Sequence, residues 1–179
     1  MNAELTAWST YYTITGSSAA ALTGLMFIVI TLVAGQERVV KNMRDGVETF
    51  SSPTVVHFCA ALLVSAILAA PWRSLTSPGI MLALVGLCGI VYAARVLFRM
   101  AQATAYHAEF DDWLWYALTP MVAYVAILGA AVAVFVYPSL GLYALAGATI
   151  ALIFMGIRNA WDVVTFIAVE MRSTDKTPE

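Results

Sequence analysis

Charged side chains divide this chain into long uncharged segments. Between Glu4 and Glu37 lie 32 residues without a charge, and from Trp113 to Ile157 there are 45. A charged group at the centre of a bilayer costs roughly 3 kcal/mol or more, so charges collect at the ends of membrane spans. An apolar segment of about 20 residues is long enough to cross the hydrocarbon layer. The pattern therefore predicts an all-α, polytopic membrane protein.

Turn residues split the uncharged segments into five predicted transmembrane helices. Pro53 and Pro78, each preceded by serine, are typical of helix starts, and the turn chemistry of residues 137–141 divides the last segment. Pro120 predicts a kink within the fourth span. The spans cover residues 12–34, 53–70, 78–97, 113–136 and 140–159, and the second and third are expected to form a tight antiparallel hairpin. A polar connector at 36–52 and an interfacial helical extension at 160–171 complete a single domain at 1–171, followed by a polar tail at 172–179.

The basic residues indicate how these five spans are oriented. In this arrangement eight of them fall on one side of the membrane and Arg73 alone falls on the other. Lysine and arginine accumulate in short cytoplasmic loops. We therefore expect the N-terminus outside and the C-terminus in the cytoplasm.

Composition narrows the classes of function. Hydrophobic residues make up 61% of the chain and charged residues 11%, against about 25% charged in a typical soluble domain. The formal net charge is -2, which leaves no basic surface for a nucleic acid. The sequence shows no nucleophile elbow, no phosphate-binding glycine loop and no paired carboxylates within a span. We expect neither an enzyme nor a cofactor, and the lipid bilayer is the first expected partner.

Small and hydroxyl-bearing residues are concentrated in the first span. Gly16, Ala20 and Gly24 recur every four residues, a spacing that lets another helix approach closely in lipid. Thr13, Ser17 and Thr31 form a second stripe with Gly24 between them. These residues either pack within one chain, with hydroxyls bonded to their own helix, or they line an oligomer axis or a narrow wet pathway.

Polar residues near the cytoplasmic ends of the spans are the remaining candidate sites. His57 lies about one turn inside the second span, where it is either a polar contact to a neighbouring helix or a pH-sensitive switch. Arg158 and Asp162 are four residues apart, a spacing typical of an interfacial ion pair. With Arg95 and Arg99 they are the candidate charges of an inner mouth.

A metal site is not expected. His57, Cys59, Cys88 and His107 are suitable ligand types, but their spacing matches no metal motif. Both cysteines lie within apolar runs and are interpreted as reduced packing residues.

Three segments resemble a family of small, uncharacterised bacterial membrane proteins. They are the first span, which contains GSSAAALTGLMFIVI, the start of the second span, PTVVHFC, and Ala70-Pro71-Trp72. The resemblance implies a multi-pass protein of the bacterial inner membrane. Some similar chains are labelled as modulators of a membrane-anchored AAA protease.

Two functions remain open at this stage. The hydroxyl stripe favours a homo-oligomer that forms a small pore or transport-type assembly lined by the first span. The alternative is a non-conducting regulatory or interaction subunit of a larger membrane complex, such as a protease modulator.

The orientation is tested by placing single cysteines at Asn2 and Thr177, after Cys59→Ala and Cys88→Ala. A membrane-impermeant maleimide applied to intact cells should label the first position, and it should label the second only after lysis. Labelling of both positions on intact cells would contradict the five-span arrangement.

Overall fold

Helices account for the described structure of this chain. The computed structural model describes residues 3–34, 37–102 and 113–174, and the side chains of residues 4–31, 53–101 and 113–165. The helices are α1 (Ala3–Ala34), α2 (Glu37–Ala69), α3 (Thr76–Gln102), α4 (Thr119–Ala133) and α5 (Pro138–Thr174), and a π-helical segment, Trp113–Leu118, leads into α4. The described residues contain no strand. The predicted all-α class is confirmed.

Four helical stretches are long and apolar enough to cross a membrane. They are Glu4–Thr31, Thr76–Ala101, Trp113–Ala133 and Pro138–Thr165. The apolar part of α2, Pro53–Ala69, is shorter. At 1.5 Å per residue it measures about 25 Å, near the lower limit for a span. Its crossing, and with it the five-span topology, stays a prediction.

The helix start expected at Pro53 is wrong. Helix α2 already begins at Glu37 and passes through Pro53, so the predicted polar connector is largely helical. Proline lacks an amide hydrogen, and its ring crowds the carbonyl four residues earlier, but a long helix can bend around one such defect. The boundary signal at Ser51-Ser52-Pro53 therefore marks where α2 changes from charged to apolar.

Pro120 rearranges the helix before it. The simple kink expected there is replaced by the π-helical segment at Trp113–Leu118, and α4 has Pro120 in its first turn. Pro120 has no amide hydrogen, so it donates no backbone hydrogen bond to the carbonyls of the preceding helical segment. Wider hydrogen-bonded turns before it accommodate the carbonyls that the proline cannot satisfy.

Helix α5 occupies the centre of the bundle. It contacts α2, α4 and α1, while α3 packs mainly on α4 rather than on α2, to which a short loop connects it. In an apolar window of 18 residues within α5, 56% of the residues are buried, against 22% in the corresponding windows of α1 and α3. The expected hairpin of the second and third spans is therefore a short connection between helices that have other main partners.

Helices that follow one another along the chain run antiparallel, whereas α1 and α5 both begin at the same end, and this gives the bundle two distinct ends. Gly79 of α3 lies against Phe135, Gly89 lies against Tyr124, and Gly156 of α5 lies against Phe58 of α2. We call the end with Tyr11 and Tyr12 the tyrosine end. The opposite end, where α3 and α5 carry Arg95, Arg99 and Arg158, is the arginine end.

Glycines set the distance between α3 and α4. A Cβ atom on Gly86 would lie 2.8 Å from the backbone nitrogen of Leu128, and one on Gly89 would lie 2.0 Å from the Tyr124 ring. The α3 positions at this contact alternate in steps of three and four residues, a spacing typical of left-handed helix packing. They are Gly79, Leu82, Gly86, Gly89 and Ala93.

Hydroxyl groups attach α1 to its neighbours at the tyrosine end. The hydroxyl of Tyr11 donates to the carbonyl of Ala146 at 2.7 Å, and that of Tyr12 donates to Leu142 at 3.1 Å. The hydroxyls of Thr15 and Ser65 are hydrogen-bonded at 3.0 Å between α1 and α2. Because these groups are buried or partly buried, the contacts fix which side of α1 faces the bundle.

Substituting Gly86 tests the close helix contact. Gly86→Ala should lower the free energy of unfolding by roughly 1–3 kcal/mol, because the added methyl group meets backbone that cannot rotate away. Gly129→Ala is the matched control, since no atom outside its own helix surroundings lies within 4 Å of that Cβ position. The control should be neutral or stabilising by up to about 1 kcal/mol. Equal effects in a reversible unfolding assay in bicelles would contradict this packing.

Candidate functional site

The hydroxyl stripe of α1 faces away from the other described helices. Thr13, Ser17, Ala20, Gly24 and Thr31 are all exposed. At 100° per residue they lie within an arc of about 60° on the helix surface. Among the described residues, no atom outside the near surroundings in its own helix lies within 4 Å of a Cβ atom built on Gly24. We call these five residues the α1 small face.

Gly16 belongs to a different surface. It is buried against α2, where an added Cβ would lie 3.0 Å from the Cβ of Ser65. The stripe of Gly16, Ala20 and Gly24 read from the sequence is therefore divided between two sides of α1. Its first residue packs within the chain, and the other two belong to the α1 small face.

Threonine hydroxyls on the α1 small face are bonded to their own helix. Thr13 donates to the carbonyl of Ser9 and Thr31 donates to that of Phe27, both at 2.8 Å. A hydroxyl that donates in this way still has lone pairs that can accept hydrogen bonds. The face is therefore polar without carrying charge or bulk.

His57 is buried in the core and bonded to α4. It is 1% exposed, and its Nδ1 lies 3.0 Å from the hydroxyl oxygen of Tyr124, which is also 1% exposed. The ring of Tyr92, on α3, stands at 85° to the imidazole with 6.5 Å between centroids. The structure thus places His57 in a polar contact between helices.

Asn159 of α5 is a second polar side chain inside the core. It is fully buried, and neither Nδ2 nor Oδ1 has a hydrogen-bond partner among the described residues. The Nε2 atom of His57 is likewise buried and without such a partner. Leaving a buried polar group unsatisfied costs about 1–3 kcal/mol, a large share of the roughly 5–15 kcal/mol that stabilises a typical domain. The core around His57 and Asn159 therefore contains polar atoms whose hydrogen-bonding capacity the described residues do not satisfy.

The predicted inner-mouth charges lie on two helices. Arg95 and Arg99 are exposed on α3, whereas Arg158 and Asp162 form an ion pair along α5. The guanidinium carbon of Arg158 also lies 5.5 Å from the centroid of the Trp115 ring. Because both members of the pair are more than a third exposed, the pair contributes only about 0.3–0.5 kcal/mol. This geometry suits an anchor at the arginine end.

An apolar groove separates the exposed edges of α4 and α5. It has a volume of about 540 Å³, and Trp115, Val122, Gly147 and Phe154 are among its lining residues. Thr119 supplies a hydroxyl, which donates to the carbonyl of Trp115 at 3.4 Å. The lining provides no charged group, so the groove suits a hydrocarbon chain rather than a polar substrate.

The cysteines differ from their predicted role. Cys59 and Cys88 are free thiols, but both are exposed on the surface of the bundle rather than packed in the core. Within the part of the chain that the structure describes, no three His, Cys, Asp or Glu side chains are grouped as metal ligands. His107 lies outside the described residues.

Two features of the site were not identified from the sequence. The sequence around Tyr124 does not indicate its role, because a tyrosine within an apolar span does not show which residue its hydroxyl contacts. Asn159 does carry a signal, since it is the one amide side chain of the apolar stretch Pro138–Thr165. An amide within a predicted span marks a polar contact or a pathway.

The chain was compared with models of protein families, with curated proteins and with solved structures, and none of them matches it.

Removing the Tyr124 hydroxyl tests the histidine contact. Tyr124→Phe should lower the free energy of unfolding by about 1–3 kcal/mol, because Nδ1 of His57 loses its partner inside the core. Tyr137→Phe is the control, since Tyr137 is 65% exposed and its hydroxyl can be solvated. The two free energies are compared by reversible unfolding in bicelles. A loss at position 124 no larger than at 137 would show that the bond does not form.

Proposed function

We propose that this chain is an integral membrane protein of five spans. The four long apolar stretches support this, and so does the surface of the bundle. Large apolar side chains cover that surface, and soluble monomers seldom expose such extensive apolar area. They include Phe27, Leu84, Val122, Phe154 and Trp161, each more than half exposed. The bacterial inner membrane is the proposed location, on the resemblance of the first two spans.

The α1 small face is proposed as the surface through which copies of the chain associate. From Thr13 to Thr31 it extends about 27 Å, close to the thickness of the hydrocarbon layer. Lipid chains pack poorly against a row of small polar groups, whereas a second helix can approach such a row closely. The exposed position of Ala20 and Gly24 is the observation that carries this proposal.

The proposed activity is passage of ions or small solutes along this association surface. When several copies place the α1 small face at a common axis, the hydroxyl oxygens of Thr13, Ser17 and Thr31 line that axis. Hydroxyl oxygens can replace part of the hydration shell of a permeating species, and they carry no charge that would trap it. The first span would then line a small pore.

The competing function uses the same surface with a different partner. A regulatory subunit would dock the α1 small face on a foreign membrane protein, such as the membrane protease suggested by the resemblance. Such a subunit would conduct nothing by itself. The two functions therefore differ in what occupies the face.

Leucine substitutions at adjacent serines test the association surface. Ser17→Leu adds bulk to the α1 small face and should weaken association and solute flux in liposomes about tenfold, the effect of roughly 1.4 kcal/mol of overpacking. Ser18→Leu is the matched control, because Ser18 is exposed about 100° away on the same helix and should leave both unchanged. Equal behaviour of the two variants, or no flux through the unmodified protein at any voltage or pH, would refute the pore.

Crosslinking in native membranes separates the two functions. A photoreactive side chain at position 17 should crosslink one copy of this chain to another if the pore proposal holds. Reproducible crosslinks to one foreign protein, without self-crosslinks, would instead establish the regulatory subunit.

A further inference from the structure

His57 of α2 and Asn159 of α5 both carry buried polar atoms without a hydrogen-bond partner among the described residues. The packing of these two helices places both side chains at a similar level of the bundle. Phe58 of α2 packs against Gly156 of α5, which brings these two helices together beside His57. Asn159 lies one helical turn beyond Gly156 toward the arginine end, and α2 runs antiparallel to α5. The Asn159 side chain is therefore at the level of the first turns after Pro53, where His57 is located.

The two side chains do not bond to each other directly. Nε2 of His57, Nδ2 of Asn159 and Oδ1 of Asn159 are all buried, and none has a partner within hydrogen-bond distance among the described residues. Buried polar atoms without a direct partner are commonly hydrogen-bonded through a water molecule, which can donate two hydrogen bonds and accept two.

We propose that His57 and Asn159 hold a buried water-binding site between α2 and α5. The hydroxyl of Tyr124 donates to Nδ1 of His57, which places the ring hydrogen on Nε2. Nε2–H donates to the bound water, and this water donates in turn to Oδ1 of Asn159. The result is one chain of hydrogen bonds across α4, α2 and α5.

The donor and acceptor roles in this chain of hydrogen bonds follow from the chemistry of Tyr124, His57 and Asn159. A neutral imidazole carries one donor and one acceptor nitrogen, and the partner of one nitrogen fixes the role of the other. A phenol is a good donor to an imidazole nitrogen, so Tyr124 leaves Nε2 as the donor. Asn159 can accept through Oδ1 while Nδ2 donates to a second water molecule. The proposed water-binding site does not depend on the proposed role of the α1 small face.

X-ray footprinting of the protein in lipid nanodiscs tests this site directly. Hydroxyl radicals generated from bound water modify side chains beside that water. His57 and Tyr12 are the compared pair, because both are 1% exposed and both make side-chain hydrogen bonds, while only His57 would contact the proposed water. His57 should be modified about tenfold faster than Tyr12, as expected of a wet and a dry position in the same core.

A double-mutant cycle provides a second test, which measures the energetic coupling between His57 and Asn159. Unfolding equilibria of His57→Phe, Asn159→Leu and the double variant should show a coupling of about fivefold, because either substitution removes the shared water. In a control cycle, Thr15→Val takes the place of His57→Phe. Because Thr15 lies at the tyrosine end, far from Asn159, the effects of Thr15→Val and Asn159→Leu on the unfolding equilibrium should be additive.

Fast modification of His57 together with the coupling supports the site. If His57 is as inert as Tyr12, no water is bound there and the proposal fails, whatever the cycle gives. Coupling without modification would mean a direct bond between His57 and Asn159, which also overturns it. Modification without coupling would place the water elsewhere and overturn the bridge.

Discussion

Close contact between helices at glycine is the interaction on which this structure depends. Gly86 and Gly89 bring α3 onto α4, and Gly156 receives Phe58 of α2. At Gly86 the neighbouring atoms are backbone, so the distance between the two helices has no room to adjust. In lipid, where burial of apolar surface cannot drive helices together, such contact supplies dispersion and close backbone approach instead. The order of helices in the bundle follows from these positions.

The small-residue surface of α1 packs on no other helix among the described side chains. One side of α1 is fixed by Tyr11, Tyr12 and Thr15, which bond to α5 and α2. This attachment turns the α1 small face outward. A helix that is held by hydroxyl bonds on one side and presents small residues on the other is suited to join two bundles, and the proposed pore or docking function rests on that arrangement.

The sequence predicts where the apolar helices lie along the chain better than it predicts which helices pack against each other. Gaps between charges locate the apolar segments, because a bilayer excludes charge along a whole helix. The pattern did not separate Gly16 from Ala20 and Gly24, since a four-residue repeat drifts around the helix and its side toward the bundle depends on α2. The proline at position 53 looked like a boundary although α2 continues through it. The bond between His57 and Tyr124 joins residues 67 apart, and no local pattern encodes it.

The central claim is that the α1 small face lies against protein and not lipid. A density map of the particle in lipid nanodiscs tests it most directly. Neighbouring α1 helices are expected to approach within about 8–10 Å between their axes near Gly24, with no lipid density between them. Ordered acyl chains along Thr13, Ser17 and Gly24 of a single bundle would contradict it.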